Sequence, residues 1–270
     1  MTTASTLRLS KHHGLGNDFL VALETVNPGL RPDADLARRL CARHHGVGAD
    51  GMMFGLCSDR DGIDLRMVLF NADGGEAEIS GNGIRCLAQA ALRDSGRRDG
   101  VIVIDTAGGV RSLLASATDD PFVDQVRVEM GAVHAGPALT AAAEAYPASR
   151  RGSFDIGNPH LVLQVASLDG LDPTIDGPAL EAGYPGGMNV HFLVDEGDDA
   201  IRLVHWERGA GATEACGSGA TVAAVAARQW GLAGDRVTVR MPGGAAVVEI
   251  GESSALIGPA AHVAFVEVTP

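Results

Sequence analysis

Short runs of alternating or continuous apolar residues recur along the whole chain, at 19–23, 64–70, 101–105, 125–129, 160–165, 189–194, 201–206, 236–241, 246–250 and 263–268. Many are bounded by Gly, Pro or Asp, as strands are. Helical periodicity is confined to three stretches, 34–43, 84–95 and 220–230. The last two are apolar around most of their circumference, which predicts helices enclosed by sheet on all sides. The pattern predicts an α+β protein with a central helix in each half.

The two halves share a plan. Residues 65–83 recur without a gap at 201–219, an offset of 216 − 80 = 136 that pairs Arg66 with Arg202, Phe70 with Trp206, Glu78 with Glu214, Ser80 with Cys216 and Gly83 with Gly219. Each copy reads as an apolar strand, a Gly-rich turn, a nucleophile-type residue, and then Gly-Asn-Gly or Gly-Ser-Gly opening an Ala-rich helix. The repeat continues into a second strand, a Gly-Gly turn and a third strand in each half. A weaker echo pairs Gly16-Asn17 with Gly157-Asn158 at an offset of 141. The division between domains is expected at 115/116, with residues 260–270 returning to complete the first domain and 116–259 forming the second. The Ala-, Pro- and Gly-rich stretch 133–151 is expected to be a linker or a surface excursion.

Composition narrows the function. At 270 residues, with 46% hydrophobic and 20% charged residues, the chain can fill two modest domains. The net charge is 21 − 34 = −13, with no basic stripe, so neither nucleic acid nor an anionic membrane is an expected partner. No signal-peptide run and no apolar stretch of membrane-spanning length occurs, and a cytoplasmic location is expected. The four cysteines (Cys41, Cys57, Cys86 and Cys216) have neither metal-ligand nor disulfide-framework spacing, and no metal is expected. No Schiff-base lysine motif and no dinucleotide fingerprint stands out, and no cofactor is expected.

Ser80 and Cys216 each stand where a helix begins. Free backbone N–H groups and the positive end of the helix dipole favour an anion there, and a cysteine so placed commonly titrates below about 8.5. Backbone N–H groups at Gly81, Asn82, Gly217 and Ser218 can hold the α-carboxylate of a small acid. With one acid/base group on each face, an α-proton can leave one side and return on the other.

The motifs Lys11-His-His-Gly-Leu-Gly-Asn-Asp-Phe, Gly46-Val-Gly-Ala-Asp-Gly, Phe70-Asn-Ala-Asp-Gly-Gly-Glu-Ala-Glu-Ile-Ser-Gly-Asn-Gly-Ile-Arg-Cys, Gly157-Asn-Pro-His, Asn189-Val and Glu207-Arg-Gly-Ala-Gly-Ala-Thr-Glu-Ala-Cys-Gly-Ser-Gly resemble the diaminopimelate epimerase family, in order and over nearly the whole chain. The resemblance implies two pseudo-symmetric domains, each a curled β-sheet wrapped around a central helix, with the active site in the inter-domain cleft. It implies a pyridoxal-independent, two-base amino-acid epimerase, a small-molecule amino-acid substrate and a homodimer. Carried over, Cys216 matches a catalytic cysteine, and His160 and Glu207 match groups that assist catalysis. Asn17, Asn71, Asn158, Asn189, Glu207 and Arg208 match substrate-binding positions, Arg208 as the grip on a distal carboxylate.

Two positions depart from the family pattern: Ser80 stands in place of the second cysteine, and Ala212 in place of a glutamate. A hydroxyl is a far weaker acid than a thiol. Ser80 is therefore open to being an engineered change, a natural Ser/Cys pair, or the mark of a one-base enzyme. Diaminopimelate is the first substrate expected. A racemase of another polar amino acid, such as a ureido-substituted serine, a dehydratase-type eliminase and a degenerate binding protein are the alternatives.

Overall fold

The structure, a computed structural model, describes residues 6–77 and 80–269, so Glu78 of the repeat and Pro270 of the expected closing strand lie outside it. The chain divides into two compact units: residues up to Val128 together with those from Gly258, and Glu129–Ile257.

The first unit contains β1 (Leu7–Gly14), β2 (Asn17–Leu23), α1 (Ala34–Cys41), β3 (Gly51–Cys57), β4 (Leu65–Asn71), β5 (Glu76–Ala77), α2 (Gly81–Asp94), β6 (Gly100–Thr106), β7 (Gly109–Ala117) and most of β8 (Val123–Gly131). The second contains β9 (His134–Ala135), α3 (Ala141–Ala145), β10 (Arg150–Asp155), β11 (Pro159–Gln164), α4 (Pro173–Glu181), β12 (Asn189–Gly197), β13 (Ala200–Trp206), α5 (Gly217–Gln229), β14 (Arg236–Met241), β15 (Gly244–Glu249) and the start of β16 (Ser254–Val268).

Each unit follows the same path through its strands. In the first, β1–β2 is antiparallel, β2–β3 parallel, β3–β4 antiparallel, β4–β6 parallel, and β6–β7 and β7–β8 antiparallel. In the second, β10 to β16 repeat that succession of pairings in order. The parallel steps require crossovers. Helices α1 and α4 provide one in each unit, and the central helices α2 and α5 provide the other. Residues from His13 back to Leu7 pair with Ala261–Val268 of β16, which closes the first unit's sheet along β1.

Both central helices are enclosed. Residues 82–90 of α2 and 219–227 of α5 are all buried, so neither helix keeps a solvent face. Helix α2 packs against β1, β2, β3, β6 and β7, and α5 against β10 to β15. Ala and Gly dominate α5 because strands approach it from every side. The polar residues inside α2 are satisfied. Gln89 Nε2 donates to Asp124 Oδ2 at 2.7 Å and to the Ala260 carbonyl at 2.8 Å, while Gln89 Oε1 lies 2.8 Å from His12 Nδ1. On the outer face of each sheet, α1 and α4 cover apolar clusters that include Leu20, Met52 and Phe54 in one unit and Leu161, Val190 and Phe192 in the other. Burying each such side chain contributes roughly 1.5–3 kcal/mol.

One expected element ends early and others are added. The predicted helix 34–43 ends at Cys41. Of the two alternatives for 133–151, the structure shows a surface excursion: its residues are exposed or half-buried apart from Ala143 of α3, and Tyr146 packs it against Phe192. Strands β1, β3 and β10 and helix α4 had no counterpart in the sequence pattern. The unit boundaries at 128/129 and 257/258 fall within β8 and β16.

Candidate active site

In the second unit the site is built around the start of α5. Cys216 is its N-cap, with extended backbone (φ −123°, ψ 112°), and Sγ accepts from Gly219 N–H at 3.3 Å and lies 3.6 Å from Ser218 Oγ. The side chain of Glu207 hydrogen-bonds the thiol. Burial raises the Cys216 thiol well above its ordinary range, and the charge and hydrogen bond of Glu207 push the same way. The Ser218 and Gly219 contacts lower it and are outweighed. This corrects the expectation drawn from the helix terminus alone: Cys216 rests as a thiol. The next helix N–H groups, those of Gly217 and Ser218, have no intrahelical partner.

Glu207 and Arg208 leave the end of β13 on a tight loop. Glu207 N–H donates to the Gly211 carbonyl at 2.7 Å and Gly211 N–H to the Glu207 carbonyl at 2.8 Å, a closure that uses positive φ at Gly209 (79°) and Gly211 (86°). Thr213 Oγ1 donates to Glu207 Oε1 in a short hydrogen bond, and Thr213 Oγ1 is itself 2.8 Å from His205 Nε2. Arg208 N–H donates to Asn189 Oδ1 at 3.1 Å, and Asn189 Nδ2 to the Pro159 carbonyl at 2.9 Å. The Arg208 guanidinium is exposed and donates to the Gly186 carbonyl at 2.9 Å; among the described residues it forms no ion pair.

His160 Nε2 lies 2.9 Å from Asn158 Oδ1, and its Nδ1 lies 2.8 Å from His191 Nε2. The three imidazoles of His160, His191 and His205 share one face of β11, β12 and β13, with His191 directly opposite His205. Ring centroids are 5.0 Å apart for His160 and His191 and 5.9 Å for His191 and His205. Burial holds His160 down to about 3 and His205 to about 4, and it lowers His191 as well, so all three are neutral. The start of α5 lies against this layer: a Cβ on Gly219 would stand 2.2 Å from His191 Cε1. Sequence reasoning missed His191 and His205. The available signal was a polar residue at an inward position of an otherwise apolar strand.

The first unit presents the equivalent cap with different chemistry. Ser80 is the N-cap of α2 (φ −127°, ψ 123°), and its Oγ accepts from Gly83 N–H at 3.1 Å. Beside it, Asn82 Nδ2 donates to Asn17 Oδ1 at 3.2 Å, and Asn17 Nδ2 donates to Asp50 Oδ2 at 2.8 Å. Arg43 bridges Asp50 and Asp18, and Lys11 pairs with Asp18 at 2.9 Å. The fully buried Arg85 supports the helix start by donating to the Gly81 carbonyl and to Asn82 Oδ1, both at 2.9 Å. Burial lowers Arg85 to about 10, which leaves it cationic. Asn71 is exposed at the end of β4, opposite Gly51, where its backbone closes the turn onto Gly75.

Within the second unit the structure therefore joins Cys216, Glu207 and Ser218, joins His160 to Asn158, and joins Arg208 to Asn189. Within the first it joins Asn17 to Asn82 beside Ser80 and Gly81, while Asn71 stands on the neighbouring turn. Among the described residues no cluster of three or more His, Cys, Asp or Glu side chains is arranged to hold a metal ion, and no helix is long and apolar enough to cross a membrane.

The sequence profile of the family described as diaminopimelate epimerase matches residues 9–135 and 152–263. A diaminopimelate epimerase of Desulfitobacterium hafniense is 37% identical over 281 residues, covering 95% of this chain and 96% of the relative. One from Desulforudis audaxviator is 38% identical over 260 residues, covering 90% and 91%. In fold, the chain is similar to a hydroxyproline epimerase from Agrobacterium vitis (TM-score 0.70, 17% identity, covering 97% of this chain and 92% of that one). It is also similar to a phenazine biosynthesis protein of the PhzF family from Bacillus anthracis (TM-score 0.71, 16% identity, covering 98% and 99%). On the profile match and these full-length identities, the chain belongs to the diaminopimelate epimerase family and is an isomerase.

Proposed function

We propose that the protein interconverts LL- and meso-diaminopimelate without a cofactor, with Cys216 and Ser80 serving opposite faces of one α-carbon. The observation that carries the substrate is Arg208. Its backbone N–H donates to Asn189 Oδ1 and its guanidinium to the Gly186 carbonyl, yet the guanidinium pairs with no carboxylate among the described residues. That suits it to a substrate whose second carboxylate lies far from the reacting carbon. The family match supports epimerisation over the ureido-serine and elimination alternatives.

The α-carboxylate binds to the N–H groups of Gly217 and Ser218, and on the Ser80 side to those of Gly81 and Asn82. Asn17, Asn71 and Asn158 supply the remaining polar contacts to the substrate. Because Cys216 rests as a thiol, it becomes a base by passing its proton to Glu207; the thiolate then takes the α-proton. The carbanion receives a proton from Ser80 Oγ on the other face, leaving an alkoxide that water reprotonates. In the reverse direction Ser80 must act as the base, which is the harder task for a hydroxyl.

The test is incubation in deuterated water with LL- and meso-diaminopimelate, following α-deuterium and stereochemistry. Inversion with exchange is the expected result; release of ammonia and a keto acid would overturn the reading. A homodimer completes it. Val263 and Phe265 of β16 and the nearby Phe122 are 53%, 79% and 57% exposed, an apolar strip of the kind interfaces cover. Four unpaired cysteines, one of them exposed, fit a reducing compartment such as the cytoplasm.

A further inference from the structure

The two units can be compared position by position, because their strand registers coincide. In the second unit His160 pairs with Asn189 and His191 with His205; in the first, Phe19 pairs with Gly51 and Met53 with Leu69. The counterparts of His160, His191 and His205 are therefore Phe19, Met53 and Leu69. Met53 occupies the place of His191 in contact as well as in register, since a Cβ on Gly83 would meet Met53 Sδ at 3.1 Å. At the offset of 136, Thr213 corresponds to Ala77 and Glu207 to Asn71. One helix start thus lies on an apolar layer, and the other on three imidazoles.

Apolar residues fill these positions in the Ser80 unit, so the fold does not need histidine there. Burying three imidazoles carries a desolvation penalty, and the orphaned His191 Nδ1 and His205 Nδ1 add to it. The hydrogen bonds show what they do. The Glu207 carboxylate can only accept, so Thr213 Oγ–H points at it, and Thr213 Oγ must then accept from His205 Nε2–H. Asn158 Oδ1 can likewise only accept, so His160 carries its proton on Nε2, and its bare Nδ1 accepts from His191 Nε2–H. Both orphaned Nδ1 atoms are then lone pairs on neutral rings.

We infer that His191 and His205 are positioning residues for the Cys216 half of the site: His205 acts through Thr213 on Glu207, and His191 acts through His160 on Asn158. The committed Thr213 hydroxyl fixes the carboxylate that exchanges a proton with Cys216. The committed His160 ring fixes the amide beside it. The Ser80 unit has Asn71, an amide, where the other has the Glu207 carboxylate, and keeps the apolar layer.

The inference rests on the epimerase reading for its kinetic arm only. In full-length protein with ¹⁵N-labelled histidine, long-range ¹H–¹⁵N correlation is expected to show His160, His191 and His205 as neutral Nε2–H tautomers at pH 7. An Nδ1–H tautomer or an imidazolium at His191 or His205 would overturn it. In α-proton exchange, His205→Gln keeps an N–H donor at similar reach and should retain most of kcat. His205→Leu and His191→Met, each the residue found at the equivalent position of the other unit, should each lose about tenfold in kcat with KM little changed. The double variant H205L/T213V should be no worse than T213V alone. Equal activity for Gln and Leu at position 205, or additive losses in the double variant, would reject the positioning role. If the wild-type chain does not turn over diaminopimelate, the functional reading fails and the tautomers alone decide this one.

Discussion

Cys216 and Ser80 occupy the same backbone position in the two halves of the chain. Each caps a buried helix with φ near −125° (−123° and −127°) and accepts from the N–H three residues on. The scaffold is therefore symmetric where the chemistry is not.

If this asymmetry limits turnover, replacing the weaker partner should relieve it. Ser80→Cys is expected to raise the rate of stereochemical inversion by about tenfold or more, with a smaller effect on exchange at the Cys216 face. Cys216→Ser should lower both by at least about a hundredfold. Comparing α-deuterium incorporation with inversion in the same sample separates the two. An inversion rate unchanged by Ser80→Cys would show that proton return at position 80 is not limiting.

Arg208 should act in substrate binding. Arg208→Gln removes the charge and the paired donors, and is expected to raise KM for diaminopimelate about thirtyfold, equivalent to about 2 kcal/mol, while kcat falls less. An amino acid lacking the distal carboxylate should bind equally well to both proteins. Initial-rate kinetics on the two substrates test this.

The Cys216 thiol has a predictable pH response. Burial first, and then the Glu207 charge, raise it, so thiolate becomes abundant only at alkaline pH and alkylation should accelerate well above pH 9. Glu207→Gln removes the negative charge, which favoured the neutral thiol, so the alkylation profile must move to lower pH. Peptide mass spectrometry with iodoacetamide resolves Cys216 from Cys57, which is exposed and serves as the internal reference.

The layers beneath the two helix starts differ in how much they can give. Gly219→Ala places a methyl 2.2 Å from a buried imidazole ring, whereas Gly83→Ala meets the flexible Met53 Sδ and the Ser80 Cβ, each at 3.1 Å. The first should destabilise by about 3 kcal/mol and the second by about 1 kcal/mol or less. Urea denaturation of the two variants is the check.

Much of this was legible in the sequence because glycine and the cap residues repeat at one offset. A helix that must start against a sheet needs Gly83 or Gly219 wherever the next atom is a side chain. Other elements carry no such mark. Strand β3, Gly-Met-Met-Phe-Gly-Leu-Cys, lacks β-branched residues and holds two glycines, and α4 carries Gly177 and Pro178 in its interior. The candidate residues were legible through the family motifs. The state of Cys216 was not, because the helix terminus is local whereas burial and Glu207 come from folding. His191 and His205 were equally hidden, since each is a single polar residue in an apolar strand until the strands are brought side by side.

Strand β16 has a consequence for how the chain is made. Residues 261–268 pair with β1 across about 250 positions of sequence, and the whole second unit lies between those partners. During synthesis β1 therefore emerges long before the strand that covers its edge, and the second unit can finish folding while the first still waits. Pairings so distant in sequence form slowly and leave a strand edge open in the interval. Loss of residues 261–268 would strike the unit carrying Ser80 and leave the pairings within the unit carrying Cys216 in place.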